Sequence, residues 1–181
     1  MTNTSLVSSI APVIIEIRPS KMLVGQIGMF AARDIKKDTI IAKSDQFGEK
    51  FFTWTDIKKL DKITREKIQH YCVDNEEGAY LPSDFNYLSV PWNMNHSCSY
   101  NVGFNDGDSF VTTKNVKRGE ELVWDYGMGR SNHKFKLICS CGSENCRKII
   151  TGNDWKDSEF VGKNKKYFLR ELLKKSNLSN K

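Results

Sequence analysis

Short runs of alternating apolar and polar residues dominate this chain and predict many short strands. VIIEIRPS predicts a first strand that ends at Pro19. GQIGMFAARDIKKDTIIA predicts a strand, a polar turn and a second strand, while FVTTKNV and ELVWDYG predict two more strands around the turn KRGE. Residues 78–92 are rich in Pro, Asp, Asn and Tyr and predict loops with short strands.

Apolar residues at helical spacing occur in two stretches. Residues 53–72 predict an internal helix capped by Thr55 or Asp56, and residues 158–175 predict a terminal helix. The order of these elements lacks the regular strand–helix alternation of a doubly wound sheet. We therefore expect a mostly β fold with a few helices.

The composition narrows the class of protein. The 181 residues are 39% hydrophobic and 11% aromatic, which supports one packed domain with a small appendage and argues against a disordered chain. The longest apolar runs are too short to cross a bilayer, and the start of the chain lacks the pattern of a signal peptide. We expect a soluble intracellular protein, cytoplasmic or nuclear, that does not use a membrane.

The net charge is +6, and the basic excess falls in the last twenty residues, GKNKKYFLRELLKKSNLSNK. A cationic surface suits an acidic partner such as nucleic acid, so contact with nucleic acid is compatible with the sequence but not required. A solvated helix face followed by a basic tail explains the same charges more simply.

Cysteine spacing indicates a metal site. Five cysteines without a secretion signal argue against a disulfide framework, and ICSCGSENC places three of them within eight residues: Cys139, Cys141 and Cys146. Structural zinc takes four ligands in a tetrahedron, so one ligand must come from elsewhere. Four residues are candidates for it: Cys98, Cys72, His133 and His96. A redox pair is the alternative, but the C-x-x-C spacing typical of redox enzymes is absent.

NHSC, residues 95–98, raises a second possibility. His96 and Cys98 are two residues apart, so on an extended segment their side chains share one face, as a nucleophile and its base would. A cysteine hydrolase is therefore an alternative. Nothing around these residues matches a known Cys–His–Asn context, and a metal would consume Cys98.

Four stretches of the chain resemble the SET-domain protein lysine methyltransferases. GQIGMFAARDIKKDTII resembles G-x-G-[hydrophobic]-F-A-x-R-D-I-x-x-G, NHSCSYN resembles N-H-S-C-x-P-N, GEELVWDYG resembles G-E-E-L-x-[FWY]-D-Y, and FKLICSCGSENCR resembles the post-SET F-x-C-x-C-G-S-x-x-C-R. They follow the family's order over roughly residues 14–150. The tail is similar to that of small stand-alone members common in bacteria. Five positions depart from the pattern without removing a side chain that the chemistry needs: Gln26, Asp38, Trp92, Asn93 and Tyr100.

The resemblance implies an organisation. It places a SET domain of small β-sheets with knot-like threading at residues 13–127, with an insert region at 43–90. A post-SET zinc-binding segment follows at 128–152, and a C-terminal helix and basic tail occupy 153–181. Residues 1–12 are expected to be a flexible N-terminus.

The resemblance also implies an activity, the transfer of a methyl group from S-adenosylmethionine to the ε-amine of a lysine in a protein, either a histone or another protein. Tyr126 matches the catalytic tyrosine, and Trp124 lines the lysine channel with it, which predicts di- or trimethylation. Cofactor contacts are carried over to six residues: Gly25, Gln26, Ile27, Asn95, His96 and Tyr126. One structural zinc is held by four: Cys98, Cys139, Cys141 and Cys146.

A different class of function is an inactive module of the same fold. It would keep the zinc and dock on a protein or on nucleic acid without catalysis. The sequence argues against it through three retained residues: Asn95, His96 and Tyr126.

Overall fold

The computed structural model describes residues 11–44 and 49–179. Most of the predicted flexible N-terminus, four residues of the insert region and the end of the basic tail lie outside the described residues. Along the described chain the strands are β1 (Ile15–Pro19), β2 (Ile27–Ala31), β3 (Ile40–Ala42), β4 (Lys50–Thr53), β5 (Gly78–Leu81), β6 (Asn95–His96), β7 (Val102–Phe104), β8 (Phe110–Thr112), β9 (Glu121–Trp124), β10 (Lys136–Ile138) and β11 (Ile149–Thr151). The α-helices are α1 (Trp54–Ile57), α2 (Lys62–Tyr71), α3 (Ser158–Asn164) and α4 (Arg170–Ser179).

The strands form one larger sheet and two small ones. The larger sheet has the order β1-β2-β9-β7-β8-β3, and β6 pairs with β9 off this path. Strand β9 is antiparallel to β2 and parallel to β6 and β7. The other two sheets are the antiparallel pairs β4–β5 and β10–β11. Short strands in small sheets with few helices confirm the predicted fold class.

Strand β9 is the centre of the larger sheet. Leu122, Val123 and Trp124 are all buried, as expected for a strand covered on both faces. Its apolar residues belong to the main core, which also includes Met29, Ala31, Met94, Val102, Phe104 and Phe110. The chain therefore passes from the middle of the core directly to Asp125 and Tyr126, which follow β9.

Two smaller apolar clusters attach the insert and the C-terminal segment. The first joins α1, α2 and β5, and it contains the fully buried thiol of Cys72, for which the sequence suggested no definite role. The second is formed by Met128, Val161, Phe168 and Leu172, so the C-terminal helices pack against the chain that follows β9.

Both predicted helices are broken, and the predicted N-cap was wrong. Thr53 caps α1, because its side-chain oxygen accepts the backbone N–H of Asp56. Asp61 caps α2 in the same way, by accepting the backbone N–H of Thr64. At the C-terminus a 3-10 turn and the extended residue Phe168 separate α3 from α4, which turns the Phe168 side chain into the core. The longest described helices have ten residues, and no helix in the described chain has the length and apolar character to span a bilayer.

Truncation of Leu172 tests how firmly α4 is attached. Leu172→Ala should lower the free energy of unfolding by about 2–5 kcal/mol, because it leaves a cavity in a cluster of few residues. Leu60→Ala is the matched control, since Leu60 is 37% exposed and its truncation should lower the free energy of unfolding much less. Urea denaturation monitored by circular dichroism measures both, and equal losses would contradict the packing role of α4.

Candidate active site and metal centre

The loop between β1 and β2 lies against the central strand. Gly25 has φ of +79°, a left-handed conformation that glycine adopts without strain, and the Ser20 N–H donates to the Gln26 carbonyl (2.8 Å). A Cβ at Gly28 would lie 2.3 Å from Glu121 Oε1, so a side chain there would displace the carboxylate that accepts from Asn95. The motif GQIG is thus shaped by one tight turn and one close approach to β9.

Asn95 holds this loop in place. Its side-chain amide donates to the Ile27 carbonyl (3.0 Å) and to Glu121 Oε1 (2.9 Å). Both N–H groups are therefore used within the protein, and the carbonyl oxygen Oδ1 is the part of the side chain left for a ligand. Asn95, which the resemblance assigns to the cofactor, could therefore meet a ligand through its side chain only as an acceptor.

A cleft of about 750 Å³ opens beside the loop. One wall carries Gln26, Asn95, His96 and Tyr126, and the other is formed by residues 133–141, which include β10. The volume lies within the range of roughly 300–1,000 Å³ that is typical of small-molecule and cofactor sites.

A narrower cavity of about 70 Å³ adjoins the cleft. It is lined by Trp124 and by residues 70–73 at the end of α2, and Ile27 lies on this side. Five residues line both spaces: Gln26, His70, Asn95, Tyr126 and Arg130. A molecule in the cleft and a side chain in the narrow cavity would therefore meet beside Tyr126.

Tyr126 is fixed at this meeting point by two hydrogen bonds. Its hydroxyl donates to the Met94 carbonyl (3.1 Å), and its backbone N–H donates to His96 Nδ1 (3.1 Å). Burial raises the pKa of Tyr126 to about 12, although the charge of Arg130 opposes this shift. The phenol is thus neutral at physiological pH and cannot act as a strong base.

Aromatic rings build the wall next to Tyr126. The Trp124 ring centroid lies 4.8 Å from that of Tyr126, and Phe104 and Phe110 pack against the other side of Trp124 at 5.4 and 5.5 Å. Phe135 faces Tyr126 from the cleft side at 6.4 Å. Trp124 is buried among these rings, and close packing of this kind restricts the movement of a side chain.

Four cysteines converge at the end of the cleft. The sulfur atoms of Cys98, Cys139, Cys141 and Cys146 all lie within 4.8 Å of one another, and those of Cys98 and Cys139 are 4.0 Å apart. A tetrahedral zinc with Zn–S distances of about 2.3 Å places its sulfurs about 3.8 Å apart, so the cluster could hold this ion. Burial raises the pKa of Cys98 to about 11 and also raises that of Cys139. Burial acts in the same direction at Cys141, but hydrogen bonds that involve Ser143, Cys98 and Cys139 together outweigh it and lower the pKa of Cys141 to about 5, so this sulfur favours the thiolate form that metals bind.

The other candidates for the fourth ligand lie elsewhere. Cys72 is buried in the insert cluster, and His133 pairs with Glu76 at the rim of the cleft. His96 Nε2 lies 3.6 Å from Cys98 Sγ, while its Nδ1 accepts the Tyr126 N–H. Burial lowers the pKa of His96 to about 4, so the ring is neutral with its proton on Nε2. Both ring nitrogens are engaged inside the protein, and His96 connects the cysteine cluster to Tyr126.

Arg147 joins the cysteine segment to the residue that follows β9. Its guanidinium makes two parallel bonds to the fully buried carboxylate of Asp125, at 2.8 and 2.7 Å, and Asp154 Oδ2 lies 3.2 Å away. The Phe160 ring stacks on the guanidinium at 4.3 Å, and the backbone N–H of Arg147 donates to Cys98 Sγ (3.4 Å). The side chain and backbone of a single residue thus connect the end of β9, the cysteine cluster and α3.

The SET domain family model matches residues 26–127, more than half of the chain. This chain belongs to the SET-domain family. The matched residues contain the GQIG loop, the NHSC turn and β9, which are the parts that border the cleft and the narrow cavity.

This chain is also similar to several curated proteins. It is 27% identical to "Histone-lysine N-methyltransferase 2D" of Homo sapiens in an alignment of 137 residues that covers 67% of this chain and 2% of that protein. It is 30% identical to "Histone-lysine N-methyltransferase met-2" of Caenorhabditis elegans over 112 residues, 61% of this chain and 7% of the relative. It is 27% identical to "Histone-lysine N-methyltransferase, H3 lysine-36 specific" of Mycosarcoma maydis over 138 residues, 72% of this chain and 14% of the relative. The chain spans only a small part of these relatives.

Some residues of the SET domain site were not found from the sequence. Arg147 and Asp125 stand inside the motifs that carry the resemblance, yet their pairing depends on a contact across 22 positions. Arg130 lines both spaces and forms a buried ion pair with Asp74 (2.7 Å), and Glu49 lines the narrow cavity. No local sequence pattern identifies these residues as part of the site. For Arg147 the one indication is its position directly after Cys146, a candidate metal ligand.

Metal titration tests the cysteine cluster. We expect metal-free protein to bind one zinc ion per chain, and Co²⁺ to give the absorption bands of a tetrahedral thiolate site. Cys98→Ser should weaken binding by at least about tenfold, because it removes one ligand of the set. Cys72→Ala is the control and should bind zinc like the unchanged protein. Equal affinity in the Cys98 variant would exclude Cys98 as a ligand.

Arg147→Met tests the ion pair. It should lower the free energy of unfolding by on the order of 3 kcal/mol, since the Asp125 carboxylate would stay buried without its partner. Lys163→Met removes an exposed ion pair with Glu159 and should leave the free energy unchanged. The double variant with Arg147→Met and Asp125→Asn should recover part of the lost free energy of unfolding, because no unpaired carboxylate stays buried. If urea denaturation shows that the losses of the two single variants simply add, that result would argue against a direct pair.

Proposed function

We propose that this chain is an S-adenosylmethionine-dependent methyltransferase that acts on the ε-amine of a lysine in a protein. The observation that carries the proposal is the position of Tyr126, which lines both the large cleft and the narrow cavity. A cofactor in the cleft and a side chain in the narrow cavity could therefore react beside it. The histone methyltransferase relatives support the same chemistry.

The cleft is the proposed cofactor site. Its volume suits a nucleoside-sized molecule, and its walls combine the apolar faces of Phe135 and Leu137 with the polar groups of Gln26 and Asn95. Asn95 would accept a hydrogen bond through Oδ1, since its N–H groups hold the loop. The bound cofactor supplies an electrophilic methyl group next to Tyr126.

The narrow cavity is the proposed lysine channel. A lysine amine has a reference pKa of about 10.4, so it must lose a proton before it can attack. Removal of water by Trp124 and its neighbours lowers the lysine pKa, and the closely packed wall aligns the amine with the methyl group. The Tyr126 hydroxyl and the Met94 carbonyl, held 3.1 Å apart, offer oxygen atoms for weak C–H···O contacts with the methyl group.

The zinc has a structural role in this proposal. Cys98, Cys139, Cys141 and Cys146 would fill all four positions of the ion and leave no place for a substrate. The ion would secure β10, which forms a wall of the cleft, and a cysteine hydrolase that used Cys98 would lose its nucleophile. Trp124 carries no hydroxyl to hold a water in the channel, which supports di- or trimethylation. A histone is one candidate substrate.

Tyr126→Phe tests the proposed function. Incubation with S-adenosylmethionine labelled in its methyl group and either core histones or whole-cell protein should transfer label to lysine, and mass spectrometry should locate it. The variant should lose at least about a hundredfold in kcat, because the oriented hydroxyl is gone, while it binds S-adenosylhomocysteine normally in calorimetry. Tyr87→Phe, at an 85% exposed tyrosine, is the control.

Two outcomes would oppose the proposal. Normal turnover in the Tyr126 variant would remove this residue from the mechanism. Absence of S-adenosylhomocysteine binding to the unchanged, zinc-loaded protein would favour the inactive docking module.

A further inference from the structure

The narrow cavity contains an acidic residue to which no part of the proposed function has been assigned. Among the described residues that line the cavity, Glu49, just before β4, is the only one with a carboxylate. Within the described part of the chain, its side chain has no hydrogen bond or ion pair. A carboxylate without a partner at the wall of a concave space is unusual, because such groups are normally paired or fully hydrated.

The cationic groups near this cavity do not neutralise Glu49. Arg130 donates to Asp74 Oδ1 (2.7 Å) and to the Gln69 carbonyl (3.2 Å), and its guanidinium stacks on Phe135 at 3.8 Å. Burial lowers the pKa of His70, with help from the charges of Lys67 and Arg130, so this ring is neutral at pH 7. The negative charge of Glu49 is therefore available to a molecule that enters.

A ligand can reach Glu49, although its carboxyl group has lost part of its hydration. The residue is exposed, so a ligand can reach it, yet the protein around the carboxyl displaces enough water to raise its pKa to about 7. Burial is the main cause of the raised pKa values of Cys72, on the cavity wall, and Tyr80, on β5, and the charge of Glu49 adds to both shifts. The carboxylate is therefore close enough to these groups to act on them electrostatically.

We propose that Glu49 is the residue that receives the positively charged ε-ammonium of the substrate lysine at the narrow cavity. This inference rests on the proposed function, since it treats the cavity as the lysine channel. A carboxylate gains most from a cation where water is partly excluded, and a four-carbon chain with a terminal ammonium matches a narrow cavity with aromatic walls. Glu49 would then select a cationic side chain over a neutral one.

The proposal predicts a specific dependence on pH. The ammonium stays charged well above pH 7, so its affinity should rise as Glu49 loses its proton, from pH 6 to pH 8, and then level off. Burial raises the pKa values of Cys72, Tyr80 and Tyr126 to about 12, so these groups do not change charge in that interval. The other titratable groups among the described residues that line the cavity are His70, Tyr71, Cys72, Tyr126 and Arg130, and Tyr80 on β5 lies within reach of the Glu49 charge.

The experiment uses n-butylammonium, which has the length and charge of the end of a lysine side chain, and 1-butanol as its neutral counterpart. Both are titrated into the full-length, zinc-loaded chain, and binding is followed by NMR chemical shifts. Glu49→Gln should bind n-butylammonium about tenfold more weakly, lose the rise between pH 6 and 8, and bind 1-butanol as before. Glu66→Gln removes the same charge from an exposed position on α2 and is the matched control.

The outcomes separate this inference from the proposed function. Unchanged n-butylammonium affinity in Glu49→Gln would overturn the role of Glu49, even if labelled methyl groups are transferred to protein. A loss of n-butylammonium affinity in Glu49→Gln but not in Glu66→Gln would support this role, even if no methyl transfer to protein is detected. If Glu49→Gln does not fold, Glu49→Asp decides: it should still prefer n-butylammonium to 1-butanol, and equal affinity for the two would overturn the proposal.

Discussion

Two parallel hydrogen bonds between Arg147 and Asp125 connect the cysteine segment to the residues that follow β9. Asp125 directly follows β9 and is fully buried, so its charge is tolerable only with a partner of opposite sign. That partner follows Cys146 in the chain, and its backbone N–H donates to Cys98 Sγ. The position of Tyr126, next to Asp125, therefore depends on a residue of the cysteine segment.

The same arrangement explains how a metal in the cysteine cluster would affect the shape of the cleft. The four cysteines join a turn after β6 to the loop between β10 and β11, and β10 lines the cleft. His96 adds a second connection, because its ring lies between Cys98 Sγ and the Tyr126 backbone. Metal binding would then be coupled to folding of this wall of the cleft.

The family, the small sheets and the convergence of the cysteines could be anticipated because each depends on contiguous residues with strict spacing. The helix breaks could not, since the periodicity of residues 53–72 continues across Asp61, whose side chain caps the second helix. The partners of Arg147 and the position of Glu49 have no local pattern either. Their roles come from contacts between distant segments, and a single sequence does not contain that information.

The proposed lysine channel must meet two opposed electrostatic demands. A carboxylate on its wall, Glu49, would attract the ammonium form of a lysine, which is the abundant form. Next to Tyr126 the charge of Arg130 is balanced by its buried ion pair with Asp74, so the loss of water beside the ring of Trp124 is what favours the neutral amine there. Under the proposed function, a lysine would therefore enter as the ammonium and react as the amine, because water is lost progressively along the channel.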